Sequence, residues 1–394
     1  MGHSTDKLAP ALSSTREKAL IPIFFIAALL YWLGLYLYVP TLPLYAKSIN
    51  SNLAVIGVVL SMYGLWQLII RLPLGIIADW VGIRRPFIIG SFILAATGAL
   101  IMANTNDINT LGFGRAITGL AAGGWVPMVV MFSSFYRPSE VIRAIALLTL
   151  ASSLGRIIGT ASNGFLNEIG GYPLAFYLSA IVSGVAILMM FFVPEQRQPS
   201  QTPSGQKLET LFLRRDVLLP SLLSAAVHYA DWTTTFSFIP ILARQYGAND
   251  IVLSILMSLN LGILMLGNLI ATTLVNRIGY RKLVILSFLL IIGGVAGAAL
   301  SHSLILLFPS QLAIGLGYGI GYPVLMGASI NYVDDKERNS ATGLHQSVYA
   351  VGMFAGPWIS GVVASRIGIQ PMLGITAGAL LAAAFAGIRL LANQ

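Results

Sequence analysis

Apolar runs of twenty or so residues, separated by short polar connections, follow one another along nearly the whole of this 394-residue chain. A helix needs about 20 apolar residues to cross the hydrocarbon core of a bilayer. On that rule the pattern predicts twelve helical spans, numbered 1 to 12 in chain order: 20–43, 53–77, 86–104, 108–134, 141–165, 173–193, 217–240, 251–274, 282–302, 304–331, 341–365 and 371–391. Membrane strands would instead alternate apolar and polar residues over about ten positions, and the runs show no such alternation. The first run lacks a small-residue cleavage site and is followed by a second span, so it is expected to stay as a span. The expected fold class is an all-α integral membrane protein.

Composition agrees. Hydrophobic residues make up 56% of the chain and charged residues 9%, against about 25% charged in soluble domains. The absence of cysteine excludes disulfides, thiolate metal sites and cysteine nucleophiles. Four histidines and fourteen carboxylates, mostly in connections, leave little for a metal centre, and no cofactor is expected. A net charge of +9 invites a nucleic-acid partner, but the positions of the charges argue against one. If the N-terminus is cytoplasmic, eighteen Lys and Arg, Arg71 among them, collect on the inner side. Three (Lys47, Arg244 and Arg366) fall on the outer side, and Arg115 and Arg156 lie inside spans. The bias predicts a multi-pass protein of the cell membrane with both termini cytoplasmic, its basic face beside anionic lipid.

The chain repeats itself at half its length. At an offset of 197, Pro43 matches Pro240, Gly82 matches Gly279, Arg84 and Arg85 match Arg281 and Lys282, and Gly155 and Gly159 match Gly352 and Gly356. In spans 4 and 10 the offset is 196, pairing Gly119 with Gly315 and Pro127 with Pro323. Two six-helix bundles are expected, over 1–193 and 217–394, joined by a polar cytoplasmic linker, 194–216. Parallel repeats of this kind are found in transporters that rock about a central site.

Between spans 2 and 3 stands Gly75-Ile-Ile-Ala-Asp79-Trp-Val-Gly82-Ile-Arg84-Arg85. It resembles the Gly-x-x-x-Asp-x-x-Gly-plus-basic-pair signature of the major facilitator superfamily, with Ile83 as an extra residue before the pair. In that family the acid contacts the start of span 11, near Asn339, Ser340 and Ala341 here. Span 4 carries Arg115-Ala-Ile-Thr-Gly119, which is similar to the Arg-x-x-x-Gly signature of the drug:proton antiporter branch. Its arginine is linked in the family to proton movement. Span 11 carries Gly352-Met-Phe-Ala-Gly356-Pro357, which looks like the antiporter signature that the family places in span 5. Span 5 here reads Gly155-Arg156-Ile-Ile-Gly159-Thr160 instead. The resemblance implies the twelve-helix major facilitator fold, usually monomeric, with Gly75, Asp79, Gly82, Arg84, Arg85, Gly352, Gly356 and Pro357 as gating or scaffold positions.

Ionisable residues deep in a span need a reason, because each costs at least roughly 2.5 kcal/mol on insertion scales. The set is Arg115, Arg156, His228, Asp231 and, nearer the cytoplasm, His345. Asp231 lies midway along span 7, with His228 on the same helical face. Desolvation disfavours an ionised carboxylate and lets it exchange a proton near neutral pH. Asp231 is therefore expected to carry the proton, with His228 as relay and Arg115 alongside; permanent pairing of Asp231 with an arginine is the alternative. Arg156 suits an anionic or zwitterionic substrate, or else only packs. Tyr31, Tyr36, Gln67, Trp125, Trp232, Asn260, Gln311, Tyr318, Tyr322, His345, Gln346 and Tyr349 are the candidates for hydrogen bonds and stacking around a small-molecule substrate.

No phosphate-binding loop of the Gly-x-x-x-x-Gly-Lys-Ser/Thr type occurs, and nothing suggests an enzyme. The sequence points to a proton-coupled secondary transporter of a small amphipathic or anionic molecule, working by alternating access. An exporter exchanging protons is expected. The alternatives are an organic-anion importer by proton symport, or a non-transporting sensor on the same scaffold.

Overall fold

The computed structural model describes residues 20–195, 214–331, 333 and 338–392; the linker expected at 194–216 lies mostly outside them. The described residues are helical, with short turns between. Nine helices among them are long and apolar enough to cross a membrane. One, Val141–Phe191, folds back at Gly170 and Gly171 and so supplies both spans 5 and 6. Gly171 has φ +66°, a left-handed conformation that a glycine adopts without strain. Two more legs complete the twelve. Span 1 is Leu20–Tyr36 continued by Leu42–Ile49, and span 7 is Arg215–Thr233 continued by Ile239–Gln245.

The breaks in these two legs are repeats of one another. Span 1 is interrupted by a turn at 37–41, and span 7 by a π-helical turn at Thr234–Phe238, 197 residues later. Each break is followed two residues on by a proline, Pro43 or Pro240, whose missing N–H leaves the carbonyl four residues back without its helical donor. In span 7 side chains bind carbonyls on the N-terminal side of the break, although not the Phe236 carbonyl itself. Thr234 Oγ1 donates to the Ala230 carbonyl at 2.7 Å and Ser237 Oγ to the Trp232 carbonyl at 2.7 Å.

Helix packing within each half also repeats. Gly155 and Gly159 of span 5 lie on the backbone of span 1 at Leu29, Leu33 and Leu37; Gly352 and Gly356 of span 11 lie on span 7 at Ala225, Tyr229 and Thr233. Gly119 of span 4 rests on Tyr63 of span 2, and Gly315 of span 10 on Asn260 of span 8. A Cβ at these positions would overlap the facing chain, which is why the glycine matches survive where other residues diverge. Partners 29/225 and 33/229 are 196 apart, whereas Pro43 and Pro240 are 197 apart, so the register slips by one across the break.

The two halves meet at the end that holds the 1–2, 5–6 and 7–8 connections, which the charge bias places outside. Gly57 of span 2 abuts Pro357 and Gly361 of span 11, and Gly164 of span 5 abuts Asp250 and Ile251 of span 8. A polar network closes the same end. Asn167 donates to Thr41 Oγ1 at 2.9 Å and to Asp250 Oδ2 at 2.8 Å, and Arg244 pairs with Asp250. Below it the Gly164 N–H donates to Ser254 Oγ at 2.8 Å, and Thr160 and Ser258 hydroxyls are 2.8 Å apart.

At the opposite end, Gly82 closes the span 2 helix in a left-handed conformation, φ +71°. The backbone N–H groups of Arg84 and Arg85 donate to the two carboxylate oxygens of Glu195 at 3.0 and 2.7 Å. A carboxylate at a helix start is favoured by the helix dipole, so Glu195, read from sequence as a loop acid, anchors span 3 to the end of span 6. Gly75 packs against Val126. The side chains of Asp79, Asn339 and Ser340, and hence their expected contact, lie outside what is described.

Candidate functional site: a central cavity between the halves

Beneath the closed end lies a cavity of about 210 Å³ lined by spans 1, 2, 4, 5, 7, 8, 10 and 11. Eleven of the residues singled out from sequence as proton or substrate contacts line it: Tyr36, Gln67, Trp125, Arg156, His228, Asp231, Trp232, Tyr318, Tyr322, Gln346 and Tyr349. The rest sit elsewhere. Tyr31 is fully buried, donates to the Ala121 carbonyl and stacks on Phe92. Asn260 Nδ2 donates to Gln311 Oε1 at 2.8 Å, and Thr235 Oγ1 donates to the same oxygen at 3.0 Å, a knot tying spans 7, 8 and 10. His345 is sealed against Ser221 at 3.0 Å. Arg115 is 2% exposed, its guanidinium 4.2 Å from the Tyr63 ring centroid, one layer behind the cavity wall.

Two aromatic groups shape the space. In the first, Trp125, Trp32 and Tyr36 meet Phe236, Trp232 and Tyr63 in a continuous chain of rings. The Tyr36–Phe236 and Tyr63–Trp232 contacts cross between the halves, so this chain roofs the cavity. The Arg156 guanidinium lies over it, 4.2 Å from the Trp32 centroid and 5.2 Å from that of Tyr36. The second group is built on His228, whose ring stacks on Tyr349 at 4.1 Å and meets Tyr318 and Tyr322 edge-on. His228 Nδ1 is 2.8 Å from the Ser224 carbonyl, and Nε2 is 2.8 Å from the Tyr318 hydroxyl. A carbonyl can only accept, so Nδ1 carries a hydrogen and, in the neutral ring, Nε2 accepts from Tyr318.

Arg71 of span 2 is the residue that the sequence reading misplaced. It was counted with the inner connections, but it stands inside the helix Leu53–Val81 and lines the cavity. It donates to the Tyr349 hydroxyl, and its guanidinium lies 5.5 Å from that ring's centroid. Its place within the apolar run 53–77 was the available signal. Trp32, Tyr63, Ser152 and Asn268 were also missed. The repeat would have found two of them, Ser152 as the counterpart of Tyr349 and Trp32 as that of His228; Asn268 is the counterpart of Arg71, itself misplaced.

Asp231 is 2% exposed. Among the described residues it forms no ion pair, and its Oδ1 is buried without a hydrogen-bond partner. Permanent pairing with an arginine, the alternative left open above, is therefore not what the structure shows. Arg71 and Arg156 likewise each have a buried Nε without a partner and no carboxylate within ion-pair distance among the described residues. The cavity thus sets two guanidiniums, both from the first half, across from one carboxylate of the second. No cluster of three or more possible metal ligands occurs among the described residues.

Comparison with known proteins accords with this architecture. Quinolone resistance protein NorA of Staphylococcus aureus (strain MRSA252) is 23% identical over 358 residues, covering 86% of this chain and 89% of NorA. An uncharacterized transporter of Buchnera aphidicola subsp. Schizaphis graminum is 32% identical over 171 residues, 43% of either chain. The crystal structure of the nucleoside transporter NupG superposes with TM-score 0.75 at 19% identity, covering 96% of this chain and 99% of NupG. The Major Facilitator Superfamily model matches twice, over residues 24–227 and again over 221–393, once for each half of the repeat. The chain is a membrane transporter of the Major Facilitator Superfamily, and not an enzyme.

Proposed function

We propose that this protein is a proton-coupled secondary transporter that exports a small amphipathic or anionic molecule by alternating access of its two halves, 1–193 and 217–394, about the central cavity. It works as a monomer in the cell membrane with both termini cytoplasmic. The observation that carries the reading is Asp231, a buried carboxylate on the cavity wall with no ion-pair partner among the described residues. An ionised group so placed is expensive unless it is neutralised. Binding and releasing a proton as the cavity changes sides is the function such a group serves. Efflux is supported by NorA, whose name attributes quinolone resistance to that protein.

A second reading, co-transport of an anion with the proton, is favoured by Arg71 and Arg156. Ionised Asp231 opposes an anion in the same cavity and protonated Asp231 does not, so anion and proton favour each other's binding. Proteoliposomes decide. Benzenesulfonate, permanently anionic, and a quinolone serve as probes. Antiport predicts accumulation driven by an acidic lumen; symport predicts accumulation driven by an acidic exterior. A protonophore abolishes either. Uptake of both probes that ignores the gradient overturns proton coupling.

A further inference from the structure

We infer that the cavity recognises an aromatic organic anion, and that Arg71, together with Arg156, forms the clamp for its acidic group. The inference rests on the transporter reading above and adds the substrate class and a specificity residue.

Three observations converge. First, both guanidiniums line the cavity, and among the described residues neither has a carboxylate within ion-pair distance. Arginine stays charged in any protein environment, so without bound ligand the cavity holds two positive charges against Asp231 alone. Second, each guanidinium lies against an aromatic ring, Arg156 on Trp32 and Arg71 on Tyr349. Ring contacts of this kind hold the cation in place without using up all its N–H donors. Each retains a buried Nε with no partner, a donor that a carboxylate, sulfonate or phosphate oxygen satisfies with a charge-assisted bond. Third, the space beside these donors is walled by Trp32, Trp125, Trp232 and Phe236. Flat apolar faces of that kind suit a planar ring and have little to offer a hydrated inorganic anion.

The two arginines sit on different helices, spans 2 and 5, of the same half. Recognition therefore does not depend on the halves being in one particular position. Tyr349, from the other half, contacts Arg71 through its hydroxyl, which accepts from Nη1, and its ring face, so an anion that engages Nη1 as well as the free Nε competes with this bond between the halves.

The test uses the purified full chain and three probes of similar size: benzenesulfonate, benzyl alcohol and benzyltrimethylammonium. Dissociation constants come from calorimetry, with ligand-dependent melting as a check. Benzenesulfonate is expected to bind most tightly. Arg71→Gln and Arg156→Gln should each weaken it about tenfold or more, the range for a hydrogen bond to a charged group, and leave benzyl alcohol within about twofold. Tyr349→Phe, which removes only the hydroxyl competing for Arg71, should hold or tighten benzenesulfonate binding. Preference for the cation, or benzenesulfonate binding unchanged in Arg71→Gln, overturns the inference. So does loss of benzenesulfonate binding in Tyr349→Phe while benzyl alcohol still binds. Gradient-driven movement of the quinolone in wild-type and Asp231→Asn proteoliposomes is scored separately. It can stand while the anion clamp falls, or fail while the clamp stands.

Discussion

The two walls of the central cavity descend from one repeat, yet they carry opposite chemistry. Arg71 and Arg156 of the first half stand where the second half has Asn268 and Met353, at the 197 offset, and all four line the cavity. In spans 1 and 7 before the break the offset is 196, so Asp231 stands where the first half has Leu35, which is 1% exposed. Trp32 and Tyr36 correspond to His228 and Trp232, and these four also line the cavity. At these four pairs, Leu35 and Asp231 aside, the repeat has kept which positions face inward and changed what they hold. The first wall has the guanidiniums proposed to grip an anion; the second has the carboxylate proposed to take a proton. A carboxylate on the same wall as the arginines would pair with them permanently and lose its proton for good. Placing it on the other half, without an ion pair among the described residues, leaves it free to respond to the cavity.

The change expected to matter most erases the difference at Asp231. Asp231→Asn keeps the shape and removes the charge. Accumulation driven by a proton gradient should vanish, while counterflow exchange of the same probe stays within a few-fold of wild type. Equal loss of both would make Asp231 a structural residue and undo the contrast between the walls.

The next largest effects come from what holds the walls together. A Cβ at Gly57 would overlap Pro357 and come within 2.9 Å of the Gly361 Cα, across the seam between the halves. A Cβ at Gly352 would overlap the Ala225 carbonyl, inside the second half. Both crowd backbone, but different interfaces yield. Gly57→Ala should open the closed end while the protein stays folded. Because the chain has no cysteine, Ser258→Cys in that background can report the opening by faster alkylation. Gly352→Ala should instead destabilise the fold by about 1–3 kcal/mol of overpacking, read as a lower melting temperature with no gain in labelling. If both behave alike, the seam and the interior of the half are one packed unit and rocking of rigid halves is wrong. Asn167→Ala, which unties Asp250 from Thr41, should move labelling in the same direction as Gly57→Ala but less.

The spans, the repeat and most cavity residues are readable from sequence, because a bilayer demands long apolar runs and close helix contacts demand glycine. Arg71 was not, for a physical reason: six residues from the end of an apolar run, an arginine reads as a charge at the membrane edge until the helix is seen to continue to Val81. Asn260 and Gln311 failed the other way. A polar side chain in a span suggests a ligand contact, but two of them on neighbouring helices bond to each other instead. Glu195 was hidden because its partners are backbone N–H groups more than a hundred residues away. Composition and spacing reveal side chains that match each other; they are silent on a side chain that caps a distant helix.

The smallest expected effect tests the repeat far from the cavity. Span 4 begins with Asp107, whose carboxylate accepts from Thr110 N at 2.8 Å and Thr110 Oγ1 at 3.0 Å. Span 10 begins with Ser303, 196 residues on, whose side chain makes no capping bond. The Thr110 bonds hold the Asp107 carboxyl below its ordinary value, so folding is linked to pH in a definite direction. The stabilisation is fully present above the unfolded value of about 3.9 and is lost as pH falls through the folded one. Asp107→Asn should lower the melting temperature slightly at pH 7, and the difference from wild type should close as pH falls below about 4. The converse transplant, Ser303→Asp, should add up to about 1 kcal/mol to the second half at pH 7. A difference at Asp107 that persists at acid pH would mean that its charge has no part in the cap. The two helix starts would then differ in shape alone, unlike the cavity walls, whose divergence is one of charge.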